Sequence, residues 1–162
     1  MTAMDDRKRS EKFVAASPKD LAPVARALIE RFSDRTIVLL SGPLGVGKTK
    51  LVETIVREMS GVAPGSATDV ASPTFSLYQV YQVGAGKRIH HFDLYRIDGE
   101  DELETVGLWD VLSAEIGLVL IEWPEKLRTA SAQLHEPGWR TIHVRFEQLA
   151  SGAREISLNS SY

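Results

Sequence analysis

The stretch Gly42-Pro-Leu-Gly-Val-Gly-Lys-Thr49 fills every fixed position of the pattern G-x-x-x-x-G-K-[ST]. Glycines at this spacing let a backbone close around a phosphate without Cβ clashes. The flanks suit the task. Thr36–Leu40 is a short apolar, β-branched run that reads as a buried strand, and Lys48–Ser60 reads as a helix. A strand that feeds a helix through such a loop aims backbone N–H groups and the positive end of the helix dipole at one point. Lys48 is then expected to reach the β- and γ-phosphates and the Thr49 hydroxyl to ligate Mg²⁺. The expected nucleotide-binding set is Gly42, Leu44, Gly45, Val46, Gly47, Lys48, Thr49 and Lys50.

A phosphate loop needs an acid at the end of a neighbouring strand to serve the metal or the attacking water. Glu122 closes the apolar run Leu118–Ile121, and Asp93 closes Ile89–Phe92. Each is a candidate, and for each the plain alternative is a surface acid at a strand end. Ser72-Pro-Thr-Phe75 lies between the loop's helix and the next strand. A segment there can order on Mg²⁺ and γ-phosphate and relax after hydrolysis, with Thr74 supplying the hydroxyl. It reads equally as a turn into a strand. Trp123 follows Glu122 and precedes Pro124, as a core aromatic or as a platform beside nucleotide or partner. His90 and His91 are adjacent in a strand, so they face opposite ways and cannot share one ion; structural hydrogen bonding suits them better. No single arginine stands out as a phosphate finger among Arg88, Arg96 and Arg128.

Two absences narrow the class. Asn159 is the one asparagine, so no Asn-Lys-x-Asp guanine-reading motif exists, which disfavours a small GTPase. No arginine-rich segment suggests the cationic clamp of a small-molecule kinase.

The elements that must position these residues follow from periodicity and turn signals. Residues 1–10 are polar and expected to be a flexible tail, with 11–162 as one domain. Glu11–Ala16 suggests a first strand. Ser17-Pro-Lys-Asp20 is a helix start, followed by Leu21, Val24, Leu28 and Phe32 at helical spacing. Phe75–Val83 and Lys87–Tyr95 predict a hairpin about Gly84–Gly86. Glu100–Thr105 predicts a short helix ending near Gly107. Leu118–Ile121 predicts a buried strand, and Thr141–Phe146 with Arg154–Leu158 a final hairpin. The fold class is α/β, a P-loop NTPase-like three-layer sandwich with a mixed sheet and added antiparallel strands.

Composition agrees. The chain has 162 residues, 43% hydrophobic and 25% charged, as in ordinary globular proteins. A net charge of −3 gives no general attraction to polyanions. With no cysteine, disulfides and thiolate metal sites are excluded. No apolar run approaches membrane-spanning length, and no apolar stretch follows the N-terminal charges, so a cytoplasmic protein is expected.

Taken together, Gly42–Thr49, Ser72–Phe75, His91-Phe-Asp-Leu-Tyr-Arg96, Glu102-Leu-Glu104 with Gly107, and Ile121-Glu-Trp-Pro124 resemble the TsaE (YjeE) family, in the family's order. The resemblance spans residues 11–158, and its Phe-Asp-Leu-Tyr-Arg and Glu-Trp-Pro strings are far more particular than the loop. It implies a P-loop ATPase that binds ATP with Mg²⁺, hydrolyses it slowly alone, and works with the TsaB–TsaD heterodimer in making threonylcarbamoyladenosine in tRNA. Transfer of the threonylcarbamoyl group belongs to TsaD, so tRNA is met indirectly. The resemblance also implies that Thr49 and Glu122 serve Mg²⁺, Thr74 belongs to a switch, Asp93 supports hydrolysis, and Trp123 is a functional aromatic. Two other classes stay open: a small-molecule kinase with Asp93 as base, and a nucleotide-gated binding module with negligible turnover.

Overall fold

Central to the fold is strand β2, Arg35–Ser41, whose residues Thr36–Leu40 are all buried. A strand with both faces covered reads as a continuous apolar run, and β2 lies in mid-sheet. In a computed structural model, residues 10–61, 77–114, 117–127, 134 and 138–161 are described. The remaining strands are β1 (Ser10–Ala15), β3 (Tyr78–Val83), β4 (Lys87–Asp93), β5 (Gly117–Glu122), β6 (Arg140–Gln148) and β7 (Arg154–Ser161). They form one seven-stranded sheet in the order β1-β7-β6-β2-β5-β4-β3.

The sheet is mixed. Strand β2 runs parallel to β5 and β6, and β4 runs parallel to β5. The β3–β4, β6–β7 and β1–β7 pairs are antiparallel. Both predicted hairpins are present. The first turns through Gly84–Gly86, where Ala85 takes φ 61, and pairs Val83 with Lys87.

Helices cover both faces. Alternation along each strand sends Val38 and Leu40 of β2 to one face and Ile37 and Leu39 to the other. On the first face lie α1 (Leu21–Ile29) and α2 (Lys48–Ser60), through Leu28, Leu51 and Ile55. On the second lie α3 (Glu100–Thr105) and α4 (Leu108–Ala114), through Leu103, Leu108 and Leu112. Three layers result.

Two local details differ from expectation. Ser17 opens a turn of 3-10 helix over Pro18–Asp20 before α1 begins at Leu21. The Asp20 carboxylate accepts the Ser17 N–H at 2.8 Å, and these bonds hold its carboxyl below the usual range. The short helix α3 ends at Thr105, beside Gly107 as expected, but a second helix that the sequence reading lacked follows it. Gly107 takes φ 76, and the chain resumes as α4, with Leu108, Val111 and Leu112 buried at helical spacing. No helix among the described residues is long and apolar enough to cross a membrane.

Candidate functional site

The carboxyl ends of the parallel strands β2, β4 and β5 meet the N-terminus of α2 at one end of the sheet. Between β2 and α2 the chain makes the glycine loop, and two of its glycines are fixed by backbone geometry. Gly42 has φ 142, and a Cβ there would stand 2.8 Å from both Cβ and the carbonyl oxygen of Phe146. Gly47, the residue that precedes α2, has φ 119. Both backbones lie where a side chain is strained.

Lys48 is the first residue of α2 and only 4% exposed. Its ammonium donates to the carbonyls of Gly42 at 2.8 Å and Pro43 at 2.9 Å. Burial pushes the ammonium down from its ordinary value, against the charges of Glu122, Glu125 and Asp93, which favour the cation. The Trp123 ring covers it, with Nζ 4.0 Å from the ring centroid.

Trp123 is half-buried and takes φ 60, one of two non-glycine residues at positive φ among those described. Its backbone remains satisfied: its N–H donates to the Leu40 carbonyl at 3.2 Å, and its carbonyl accepts from Lys126 N–H at 3.0 Å. These bonds hold the chain in a sharp turn after β5 and direct the indole over the loop. Tyr95 packs against the indole with centroids 4.9 Å apart.

The two acids predicted from the sequence come together. Parallel pairing of β4 and β5 sets Asp93 opposite Glu122. Glu122 is 2% exposed. Its Oε2 accepts the Thr49 hydroxyl at 3.1 Å, and its Oε1 lies 2.9 Å from His91 Nε2. Asp93 is half-buried and accepts the Tyr95 N–H at 3.0 Å. Burial raises its carboxyl above the ordinary value, and the neighbouring Glu122 adds to the rise; the Tyr95 N–H, His91 and Lys48 oppose it.

These groups line a cleft of about 190 Å³, shared by Leu44, Gly45, Gly47, Lys48, Thr49, Lys50, Asp93, Tyr95, Glu122 and Trp123. The sequence-predicted set therefore converges, with four qualifications. Gly42 lines a neighbouring hollow with Pro43 and Phe146 and reaches this cleft only through its carbonyl's bond to Lys48. Val46 turns its side chain into the core at 5% exposure. The Lys50 ammonium pairs with Glu53 at 2.6 Å. Thr74 and the rest of 72–75 lie outside the described residues, as does Arg128.

The histidines divide as adjacent strand residues must. His90 bonds Tyr78 Oη through Nδ1 at 2.7 Å, while His91 turns to the opposite face and meets Glu122. Sequence reasoning treated the pair as structural and gave neither a place beside the acid. The alternation was the available signal, since His91, like Asp93, occupies an odd position of β4. Tyr95 was also missed.

The cleft joins a cationic cradle to an acidic wall. Thr49 and Glu122 present hydroxyl and carboxylate oxygens, hard donors that fit a magnesium ion sharing its shell with phosphate and water. A loop of backbone amides, a buried lysine and a helix N-terminus suits a polyphosphate. The arrangement can bind a nucleotide's phosphates and set an acid beside the terminal one.

Comparison with known proteins agrees with this geometry. The family model described as "Threonylcarbamoyl adenosine biosynthesis protein TsaE" matches residues 15–156. Proteins named "tRNA threonylcarbamoyladenosine biosynthesis protein TsaE" are similar to this chain in several bacteria. That of Rickettsia typhi is 34% identical over 112 residues, covering 69% of this chain and 73% of its own. That of Rickettsia conorii is 34% identical over 146 residues, covering 90% and 76%. The Haemophilus influenzae protein is 39% identical over 103 residues, covering 63% and 61%. The crystal structure of Bacillus subtilis YdiB superposes with a TM-score of 0.64 over 96% of this chain and 88% of that one, at 20% identity, and so supports the fold. Since the family match takes in the glycine loop, both acids and five of the seven strands in full, the chain belongs to the TsaE family.

Proposed function

We propose that this chain is a Mg²⁺-dependent ATPase that binds and hydrolyses ATP to support the TsaB–TsaD heterodimer in forming threonylcarbamoyladenosine in tRNA. The observation that carries the reading is the Thr49–Glu122 hydrogen bond at the mouth of the loop, 3.1 Å long. It joins the hydroxyl that ends the phosphate motif to a buried acid 73 residues away, the pairing a metal–nucleotide site needs.

In this reading the triphosphate lies along Gly42, Leu44, Gly45, Val46, Gly47, Lys48, Thr49 and Lys50. Backbone N–H groups and the α2 dipole bind its oxygens, and Lys48 supplies the counter-charge. Thr49 and Glu122 hold Mg²⁺, which when bound neutralises charge on the phosphate oxygens. Asp93 orients the attacking water from beside Glu122, and Thr74 reports the γ-phosphate as part of a switch. Trp123 shields the Lys48 ammonium and couples the site to partners. The transfer chemistry belongs to TsaD, tRNA is met through the complex, and the protein works in the cytoplasm.

The fate of the terminal phosphate tests this. With γ-labelled ATP, Mg²⁺ and TsaB–TsaD, the label is expected to leave as inorganic phosphate. Label recovered on a small molecule would favour a kinase. Tight binding with no release, even with partners, would favour a nucleotide-gated module.

A further inference from the structure

Glu122 is almost wholly removed from water, yet both its oxygens are engaged on different elements. Oε2 faces Thr49 and the cleft. Oε1 faces away from it, toward His91 on β4, which is 1% exposed. A carboxylate only accepts hydrogen bonds, so the 2.9 Å contact requires the proton on His91 Nε2. Behind the imidazole stands Tyr81 of β3, its hydroxyl 3.5 Å from His91 Nδ1 and its ring stacked at 6.2 Å between centroids. The phenol is half-buried and donates its proton to Gln79 Oε1, so it steadies the imidazole through the stacked ring; burial, with the charges of Glu53 and Glu122, raises it to about 12, and it stays a neutral hydroxyl.

We propose that His91 is a positioning residue for the acid, its Nε2–H fixing Glu122 Oε1 so that Oε2 alone is presented to Thr49 and the metal, with Tyr81 steadying the ring from behind. A buried carboxylate held at one oxygen only can turn about its side-chain torsions. Held at both, it has one orientation. Partners behind a metal-binding group act in this way on affinity, and their loss commonly costs about 10–100-fold. Register makes the arrangement possible, since pairing Asp93 with Glu122 places His91 opposite Leu120, one alternation back on the same face. The inference rests on Glu122 serving Mg²⁺ as proposed above.

The test reads metal affinity by calorimetry rather than turnover: a non-hydrolysable ATP analogue is titrated into the full chain at graded Mg²⁺ and in EDTA. His91→Ala is expected to raise the Mg²⁺ needed for tight binding about tenfold or more, with binding in EDTA unchanged. His91→Gln, whose amide reaches as far as Nε2, is expected to recover most of the loss, and the shorter His91→Asn is not. A folded His91→Ala with unaltered Mg²⁺ dependence would overturn the proposal. Should that variant not fold, equal behaviour of the Gln and Asn variants would overturn it as well. Glu122→Gln separates the two levels. If it shifts the Mg²⁺ dependence while His91→Ala does not, the role of His91 alone falls; if Glu122→Gln changes nothing, the metal reading falls and takes His91 with it.

Discussion

The Lys48 ammonium stands 4.0 Å from the centre of the Trp123 ring. The lysine belongs to the phosphate loop and the indole to the turn after β5, so the contact ties the cradle to the acidic wall. A buried cation beneath an aromatic face is stabilised by the ring's quadrupole, which offsets part of the cost of removing it from water. Trp123 holds that position at φ 60, a backbone cost that the surrounding hydrogen bonds sustain.

Trp123→Ala should therefore damage function more than folding. Loss of the contact costs about 0.5–2 kcal/mol, a fall in Tm of about 2–4 °C per kcal/mol for a chain of this size. Partner-stimulated ATP hydrolysis should drop far more steeply. Thermal denaturation beside a phosphate-release assay checks this, and a collapse of stability with residual activity intact would assign the ring to the core.

Lys48→Ala should abolish ATP binding while leaving a folded protein. The substitution removes the charge at the base of the cradle together with its bonds to Gly42 and Pro43. Calorimetric titration with ATP is the check. Wild-type affinity in this variant would mean that phosphate binds elsewhere.

Asp93→Asn should slow ATP cleavage and stabilise the fold at neutral pH. Asp93 is raised above its ordinary value, so the folded state holds this proton more tightly than the unfolded chain does. Its contribution to stability therefore falls as pH rises from the unfolded value of about 4 through the folded one, and the cost is complete above that. Asparagine keeps an acceptor for Tyr95 N–H without the charge. The gain in Tm should be present at pH 7 and vanish near pH 3, below both values. A variant less stable at pH 7 would contradict the assignment.

Gly42→Ala should destabilise the protein and weaken nucleotide binding together. A methyl group at 2.8 Å from the Phe146 backbone and side chain cannot be accommodated without moving β6 or the loop, at a cost of about 1–3 kcal/mol. Denaturant melts measure it, and a neutral outcome would show that the loop adjusts freely.

Much of this was legible in the sequence because it is local. The glycine loop, the β2 run and the α2 helix are encoded by contiguous residues, and α2 has the bounds expected of it. The acids could be named because each ends a strand. What the sequence could not convey is adjacency across the sheet. That β4 lies beside β5, which puts His91 on Glu122 across 31 residues, depends on strand order, and no local pattern specifies it. Helix α4 was missed for a different reason: Gly107 signals a stop, and the short apolar repeat after it registers only when the second face of the sheet is there to cover.

The most direct test of the central claim is the rate of ATP hydrolysis by the purified chain, alone and with TsaB and TsaD, with and without Mg²⁺. The account predicts slow turnover alone, a clear rise with both partners, and none when Mg²⁺ is withheld. A rate that the partners leave unchanged, or one indifferent to Mg²⁺, would contradict it.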